Sequence, residues 1–301
     1  MKRWIIIAVA LLSLSSIWGQ QMSVAERNAA QGFNDTIDRL APDFVLVSLC
    51  IADPTDQSQD YLGITGHAFL RLQCPTFGLD YCFSYESEKI KGQLWDYITG
   101  NLKMGMRGVH TSDYVEDYRI WKRAVHEYRI NMPPEAEQRL WEQMDNHMLA
   151  ENEMQMNLIK YGCTNTLLRY VERALVPDEI VYLWPEKYMT KTAMEIVEEH
   201  LQNYPWTLFG FRLTVRSEMR QMEMPKQKII LPPDLLEVWS IATINGEPLL
   251  TYLGDLVEAE PVVVKKPWFT PQLCCILLLI LIAGIIGSVL VHRQKIYNHK
   301  S

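Results

Sequence analysis

The chain has 301 residues and carries 36 acidic against 29 basic side chains, a formal net charge of −7. This acidic balance provides no basic surface for nucleic acid, so no nucleic-acid partner is expected. The sequence contains no glycine-rich phosphate loop and no GxSxG, HExxH or CxxC motif. These motifs mark nucleotide, serine-hydrolase and metal sites, so we expect neither a cofactor nor a metal.

Both ends of the chain carry membrane signals. Residues 1–19 begin with basic side chains, continue with a short apolar run and end at a small residue, which predicts a cleaved signal peptide. An uncleaved N-terminal anchor is the alternative. Residues 273–291 are uncharged and rich in Leu and Ile, which predicts a transmembrane helix in contact with the lipid bilayer.

The charges beside the predicted span set its orientation. Residues 292–301 are basic, and positive residues stay on the cytoplasmic side. We therefore expect a single-pass membrane protein with its body outside the cytoplasm and its C-terminus in the cytoplasm. Residues 20–260 would form the exported domain, and the proline-rich residues 261–272 would form an extended tether.

Apolar runs predict the strands and helices of the exported domain. Strands are predicted over residues 44–50, 64–72, 79–84 and, less regularly, 121–132. Proline placement and apolar residues at 3–4 spacing predict helices over residues 133–148, 163–175, 190–201 and 231–243. In the aromatic run 204–213, Trp206, Phe209 and Phe211 are expected to lie in the core, with contact to lipid as the alternative.

The second and third predicted strands form a hairpin. Residues 75–78 are a link of hairpin length that contains Pro and Gly. With the turn at the centre of this link, His67 lies opposite Glu86 and Phe69 lies opposite Ser84. These four side chains would then share one face of the sheet.

Four cysteines lie in the predicted exported domain: Cys50, Cys74, Cys82 and Cys163. In an oxidising compartment they could form up to two disulfides. A bridge between Cys74 and Cys82 across the hairpin is one option. A nucleophilic Cys163 would have to stay free, and the number of cysteines alone does not decide between these possibilities.

Cys163 lies where a polar loop meets the predicted helix 163–175. Free backbone N–H groups and the helix dipole stabilise a thiolate at such a position. Thiol catalysis also needs a base and a group that orients it. His67, after Gly66 on a strand, could be the base, and Ser84 or Glu86 on the neighbouring strand could orient it. An inert buried cysteine is the alternative.

Several short motifs resemble a known family in order and spacing. The sequence GHAFLR at residues 66–71 resembles the GHxALRV strand of the periplasmic domain of the lipoprotein N-acyltransferase Lnb. Further pieces resemble that family at residues 48–50, 83–85, 161–164 and 231–246. The resemblance covers residues 44–250. Gly162 and Ser84 depart from it, because each stands where the family usually has Asn.

This resemblance implies an α+β, permuted papain-like (NlpC/P60-like) fold, with a small antiparallel sheet packed on helices. It also implies that Cys163 and His67 form the active pair. The activity implied is acyl transfer from a membrane phospholipid, through a Cys thioester, to an amine such as a lipoprotein N-terminus. A thiol hydrolase of the same fold (peptidoglycan amidase or lipase) and a non-catalytic, membrane-anchored binding protein are the alternatives.

Overall fold

The structure is a computed structural model, and it describes residues 45–55, 63–87, 103–149, 154–155, 162–260, 263–264 and 266–298. The predicted signal peptide, residues 1–19, lies outside the described residues. The described part is an α+β structure with antiparallel sheets, which agrees with the predicted class.

Antiparallel strands form the centre of the described part. The strands are β1 (Leu46–Ala52), β2 (His67–Cys74), β3 (Leu79–Ser87), β4 (Lys103–His110), β5 (Val125–Ile130), β6 (Met154–Gln155), β7 (Ile180–Val181), β8 (Thr243–Ile244), β9 (Glu247–Pro248) and β10 (Leu250–Val257). Seven of them form one sheet in the order β10-β5-β1-β2-β3-β4-β6, and β7, β8 and β9 form a small second sheet. The strand that begins with His67 is therefore the middle strand of the large sheet.

Some helices lie between the strands in sequence, and others follow toward the C-terminus. The helices are α1 (Thr111–Ile120), α2 (Pro134–Leu149), α3 (Cys163–Leu175), α4 (Glu186–Thr190), α5 (Ala193–His200), α6 (Pro205–Thr214), α7 (Arg216–Met219), α8 (Pro232–Ile241) and α9 (Pro271–Asn298). The predicted helix starts near Pro133, at Cys163 and near Leu231 are confirmed within two residues. Helix α1 and strand β4 were not predicted, because the sequence there shows no clear period.

The predicted hairpin register is confirmed. Leu70 pairs with Phe83, and Cys74 pairs with Leu79. Gly78 closes the turn with a positive φ of 66°, a conformation that glycine adopts without strain. Continued toward the start of β2, this register places His67 opposite Glu86.

The possible disulfide between Cys74 and Cys82 does not form in the structure. Cys50, Cys74 and Cys82 are all free and buried. Successive side chains of β2 point to opposite faces of the sheet, so Cys74 lies on the same face as Leu72 and on the opposite face from Gln73. Cys82 belongs to the cluster on the α1 side, with Phe69. Side chains on opposite faces of a sheet cannot be bridged across a hairpin.

The main core lies between the sheet and helices α2, α3 and α8. On α3, the predicted inward residues Leu167, Leu168, Val171 and Leu175 are all buried. Each fully buried leucine stabilises the fold by about 2 kcal/mol. This packing holds α3 against β2 and β3. The first residue of α3 is thereby held close to the start of β2.

The C-terminal helix α9 has the length and composition of a membrane span. Its segment Pro271–Leu290 has 20 residues, is strongly apolar on average and is not buried against the rest of the protein. It overlaps the predicted span 273–291. The helix continues to Asn298, so the start of the predicted basic tail is helical.

Candidate functional site

Cys163 is the first residue of α3. Gly162 before it has an extended backbone conformation, with φ −76° and ψ 167°, and acts as the N-cap. The N–H groups of a helix's first turn have no acceptor within the helix, and they favour a negative charge nearby. The Cys163 side chain remains partly accessible to solvent, unlike those of Cys50, Cys74 and Cys82.

His67 is brought to this sulfur by the turn before β2. Gly66 has a positive φ of 84°, and a Cβ there would lie 3.0 Å from the carbonyl oxygen of Ala52. Only glycine fits this close approach without strain. The interaction of the His67 side chain with the Cys163 sulfur, together with the backbone N–H of Ala68, helps to lower the pKa of the thiol. The structure thus brings the two predicted residues together.

Ser84 and Glu86 continue the chain of polar contacts behind His67. The His67 Nε2 and Ser84 Oγ atoms are 2.7 Å apart. Ser84 also helps to lower the pKa of Glu86, and His67 Nε2 lies 3.8 Å from Glu86 Oε1. Both residues that the sequence offered as orienting groups therefore lie at the histidine.

Two further side chains hold Glu86, and the sequence analysis missed both. Arg107 Nη1, on β4, lies 3.2 Å from Glu86 Oε2. The Tyr114 hydroxyl, on α1, donates to Glu86 Oε1. The Arg107 guanidinium also lies 5.5 Å from the centre of the Tyr114 ring. No motif marks these residues, and only the pairing of β3 with β4 brings Arg107 opposite Ser84.

The electrostatics of the site favour an ion pair. Partial burial favours the neutral thiol, but the hydrogen bond and positive charge of His67 outweigh it and lower the pKa of Cys163 from 9.0 to about 7. Burial also favours the neutral imidazole, yet the interactions with Cys163 and Glu86 raise the pKa of His67 above 6.5. A thiolate and an imidazolium are therefore stabilised together near neutral pH.

The other thiols differ in their surroundings. Burial raises the pKa of Cys82 to about 12, and burial together with the nearby Cys82 raises the pKa of Cys50 well above its ordinary value. A thiol that stays protonated is a poor nucleophile. Among Cys50, Cys82 and Cys163, only Cys163 is both partly accessible to solvent and lowered in pKa.

Glu86 is ionised throughout the ordinary pH range. Burial would raise its pKa, but the charges of Arg107 and His67 and the Tyr114 hydrogen bond lower the pKa to about 2 from 4.5. Because the folded protein has the lower pKa, ionised Glu86 stabilises the fold above about pH 4.5. That contribution is lost as the pH falls toward 2.

Replacing Glu86 with glutamine is expected to lower the free energy of unfolding by about 2 kcal/mol at pH 7, because Arg107 loses its charged partner. The difference from wild type should shrink as the pH falls from 4.5 toward 2. Denaturant unfolding of both proteins over this pH range measures it. A difference that stays constant with pH would contradict the charge pairing, and exposed Glu116→Gln serves as the matched control.

A second histidine with carboxylate partners lies on the other side of β1. His126 Nδ1 is 2.6 Å from Asp255 Oδ1, and Nε2 is 3.2 Å from Asp53 Oδ1. A largely apolar cleft of about 350 Å³ adjoins it, lined by Ile51, Ala52, Asp53, Pro54, His126, Tyr128, Pro233, Leu236 and Tyr252. Across the described ranges, no group of three or more His, Cys, Asp and Glu side chains is arranged to hold a metal ion.

The fold and the site define a class of protein: an α+β domain with a cysteine–histidine pair between a helix start and a sheet, joined to an apolar helix of membrane length. The family model for the Lnb N-terminal periplasmic domain matches residues 40–190, about half of the chain. The chain belongs to this family, which confirms the predicted resemblance. No curated protein and no solved structure matches the chain.

Family membership concerns both the candidate site residues and the cellular location of the protein. The match includes His67, Ser84, Glu86 and Cys163. A periplasmic domain followed by one candidate span fits a single-pass membrane protein.

Proposed function

We propose that the protein is a membrane-anchored thiol acyltransferase of the periplasm. The interaction of His67 with Cys163 at a helix start, which lowers the thiol pKa to about 7, carries this proposal. Family membership supports it, because the family is named for the periplasmic domain of Lnb. The order of the pair, with the strand histidine before the helix cysteine, also supports the permuted papain-like arrangement.

In the first half of the proposed reaction, Cys163 takes an acyl group from a membrane phospholipid. The thiolate attacks the ester carbonyl, and a carbon–sulfur bond forms. The ester C–O bond then breaks, and the proton on His67 passes to the departing oxygen of the lysolipid. The products are a thioester on Cys163 and a neutral His67.

In the second half, an amine accepts the acyl group. A neutral amine, such as a lipoprotein N-terminus, attacks the thioester carbonyl while His67 takes a proton from the nitrogen. An amide bond forms, the carbon–sulfur bond breaks, and the starting ion pair of Cys163 and His67 returns. Each half needs negative charge stabilised on the carbonyl oxygen. The backbone N–H of Cys163, at the helix start, is the proposed donor.

Ser84 and Glu86 are positioning residues in this mechanism. With His67 protonated, its Nε2–H donates to Ser84 Oγ, and the Ser84 hydroxyl donates to Glu86. Ser84 stands where the family usually has Asn, and in this chain its hydroxyl oxygen is the partner of His67 Nε2. This contact supports a functional site over a non-catalytic binding protein.

The membrane topology supports the choice of substrates. An anchor at α9, with the body in the periplasm and the C-terminus in the cytoplasm, would keep Cys163 near phospholipids and lipoproteins. The proposed location is a bacterial inner membrane. This orientation rests on the basic residues after the span.

An intact-mass experiment tests the proposed function. The full-length protein is incubated with phospholipid vesicles, and its mass is measured before and after a synthetic diacylglyceryl-cysteine peptide is added. We expect an acyl adduct on Cys163 that disappears as the peptide gains an amide-linked acyl chain. Adduct loss to free fatty acid, with no acylated peptide, would indicate the hydrolase alternative. Absence of any adduct would contradict the acyltransferase and the lipase.

A further inference from the structure

Helix α6 presents an unexpected apolar face to solvent. Trp206 and Phe209 are each 38% exposed, and Leu213 is 69% exposed. Their spacing of three and four residues places them on one side of the helix. Phe211 points to the other side and is only 5% exposed. The prediction that all three aromatic residues of this run lie in the core was therefore wrong for Trp206 and Phe209.

This face is joined to the segment that leads into α9. The indole Nε1 of Trp206 donates to the carbonyl oxygen of Phe269, at 2.9 Å. The rings of Trp206 and Phe269 are 5.6 Å apart. Trp268, next to Phe269, is 85% exposed. We call Trp206, Phe209, Leu213, Trp268 and Phe269 the aromatic collar.

We propose that the aromatic collar docks in the headgroup region of the bilayer leaflet that faces the protein body. The candidate span begins at Pro271, two residues after Phe269, so the collar lies where a bilayer surface would meet α9. Tryptophan is enriched at this depth because its ring is apolar while its N–H needs a polar partner. The bilayer interface is the occupant we propose because the candidate span begins next to the collar.

Exposed basic side chains beside the collar also favour docking at a bilayer surface. Arg216, at the start of α7, and Arg220, just after its end, are exposed, and so is Lys266 just before Trp268. Basic side chains at a membrane surface attract lipid phosphates. They stand out in an exported region that carries 24 basic against 36 acidic residues and would otherwise be repelled by anionic lipid.

The opposite face of α6 connects the collar to the catalytic site. Phe211 belongs to a buried cluster with Ile64 and Leu231. Ile64 lies in the turn before Gly66 and His67, and the Tyr204 hydroxyl donates to the carbonyl oxygen of Thr55 at 2.8 Å. Docking of the collar would therefore fix the height and orientation of the site above the bilayer surface.

Photolabelling tests this docking. The full-length Cys163→Ala protein is reconstituted in phosphatidylethanolamine–phosphatidylglycerol vesicles that contain a phospholipid with a diazirine close to its headgroup. After irradiation, peptides are compared by mass spectrometry. We expect the α6 peptide to carry at least about fivefold more lipid label than the peptide with exposed Ile120 and Trp121, at the end of α1. Equal labelling of the two peptides would overturn the proposal.

A matched pair of variants completes the test. Serine at Trp206, Phe209 and Leu213 should remove the excess label from α6, while serine at Ile120 and Trp121 should leave it unchanged. All these side chains are exposed, so both variants should fold. If α6 carries no excess lipid label and a bifunctional protein cross-linker joins two α6 helices in the same vesicles, a second copy covers the collar and the proposal is overturned. Because Cys163 is absent, the result does not depend on acyl transfer.

Discussion

Replacing Cys163 with alanine is expected to abolish the acyl adduct and to lower acyl transfer by at least about 1000-fold. The sulfur is the proposed nucleophile. Cys50, Cys74 and Cys82 are buried, and burial raises the pKa of Cys50 and of Cys82, so none of these thiols is expected to replace it. Intact mass after incubation with phospholipid vesicles, together with the transfer rate to the synthetic peptide, measures the effect.

The control must separate lost chemistry from lost structure. Cys163 is partly exposed at a helix end, so the alanine variant should keep the wild-type circular dichroism and unfolding midpoint. Cys275→Ala, an exposed position within the apolar helix α9, should retain both adduct and transfer. Transfer that survives in the folded Cys163→Ala protein would exclude the thioester mechanism.

Replacing His67 with asparagine is expected to raise the pKa of Cys163. The thiol pKa is about 7 because the contact with His67 outweighs burial. Without that partner, burial dominates and the pKa moves above the ordinary 9.0. At pH 7 the alkylation rate of Cys163 should then fall at least about tenfold, since each pKa unit changes the thiolate fraction by about tenfold.

Iodoacetamide labelling read at the Cys163 peptide, from pH 5 to 10, measures this change. In the wild type the rate should rise through a midpoint near pH 7 and stay level above it. In the variant the midpoint should lie at pH 9 or higher. His110→Asn is the matched control, because His110 contacts Tyr81 and not the thiol. An unchanged midpoint in the His67 variant would show that the histidine does not activate the sulfur.

Together, these two variants separate the parts of the proposal. If Cys163→Ala loses transfer while the His67 variant keeps a midpoint near pH 7, the helix start alone must stabilise the thiolate. If both behave as expected, the ion pair is the active form. Ser84 and Glu86 then act through His67, and Arg107 and Tyr114 act through Glu86.

Much of the local structure could be predicted from the sequence. Pro75 and Gly78 determined a tight hairpin, and the register that follows places His67 opposite Glu86. The spacing of Leu167, Val171 and Leu175 predicted the inward face of a helix whose first residue is Cys163. These features depend on turns and on the spacing of apolar residues over short stretches, so the sequence of each stretch is enough to predict them.

Only the tertiary structure decided how these pieces meet. The pairing of β3 with β4 brings Arg107 toward Glu86, and the packing of α1 adds the Tyr114 hydroxyl. The packing of α3 on β2 places Cys163 against His67. Trp206 donates a hydrogen bond to the carbonyl oxygen of Phe269, and its ring lies outside the core. Such contacts join residues far apart in sequence, so strand order and helix packing determine them, and no local pattern contains them.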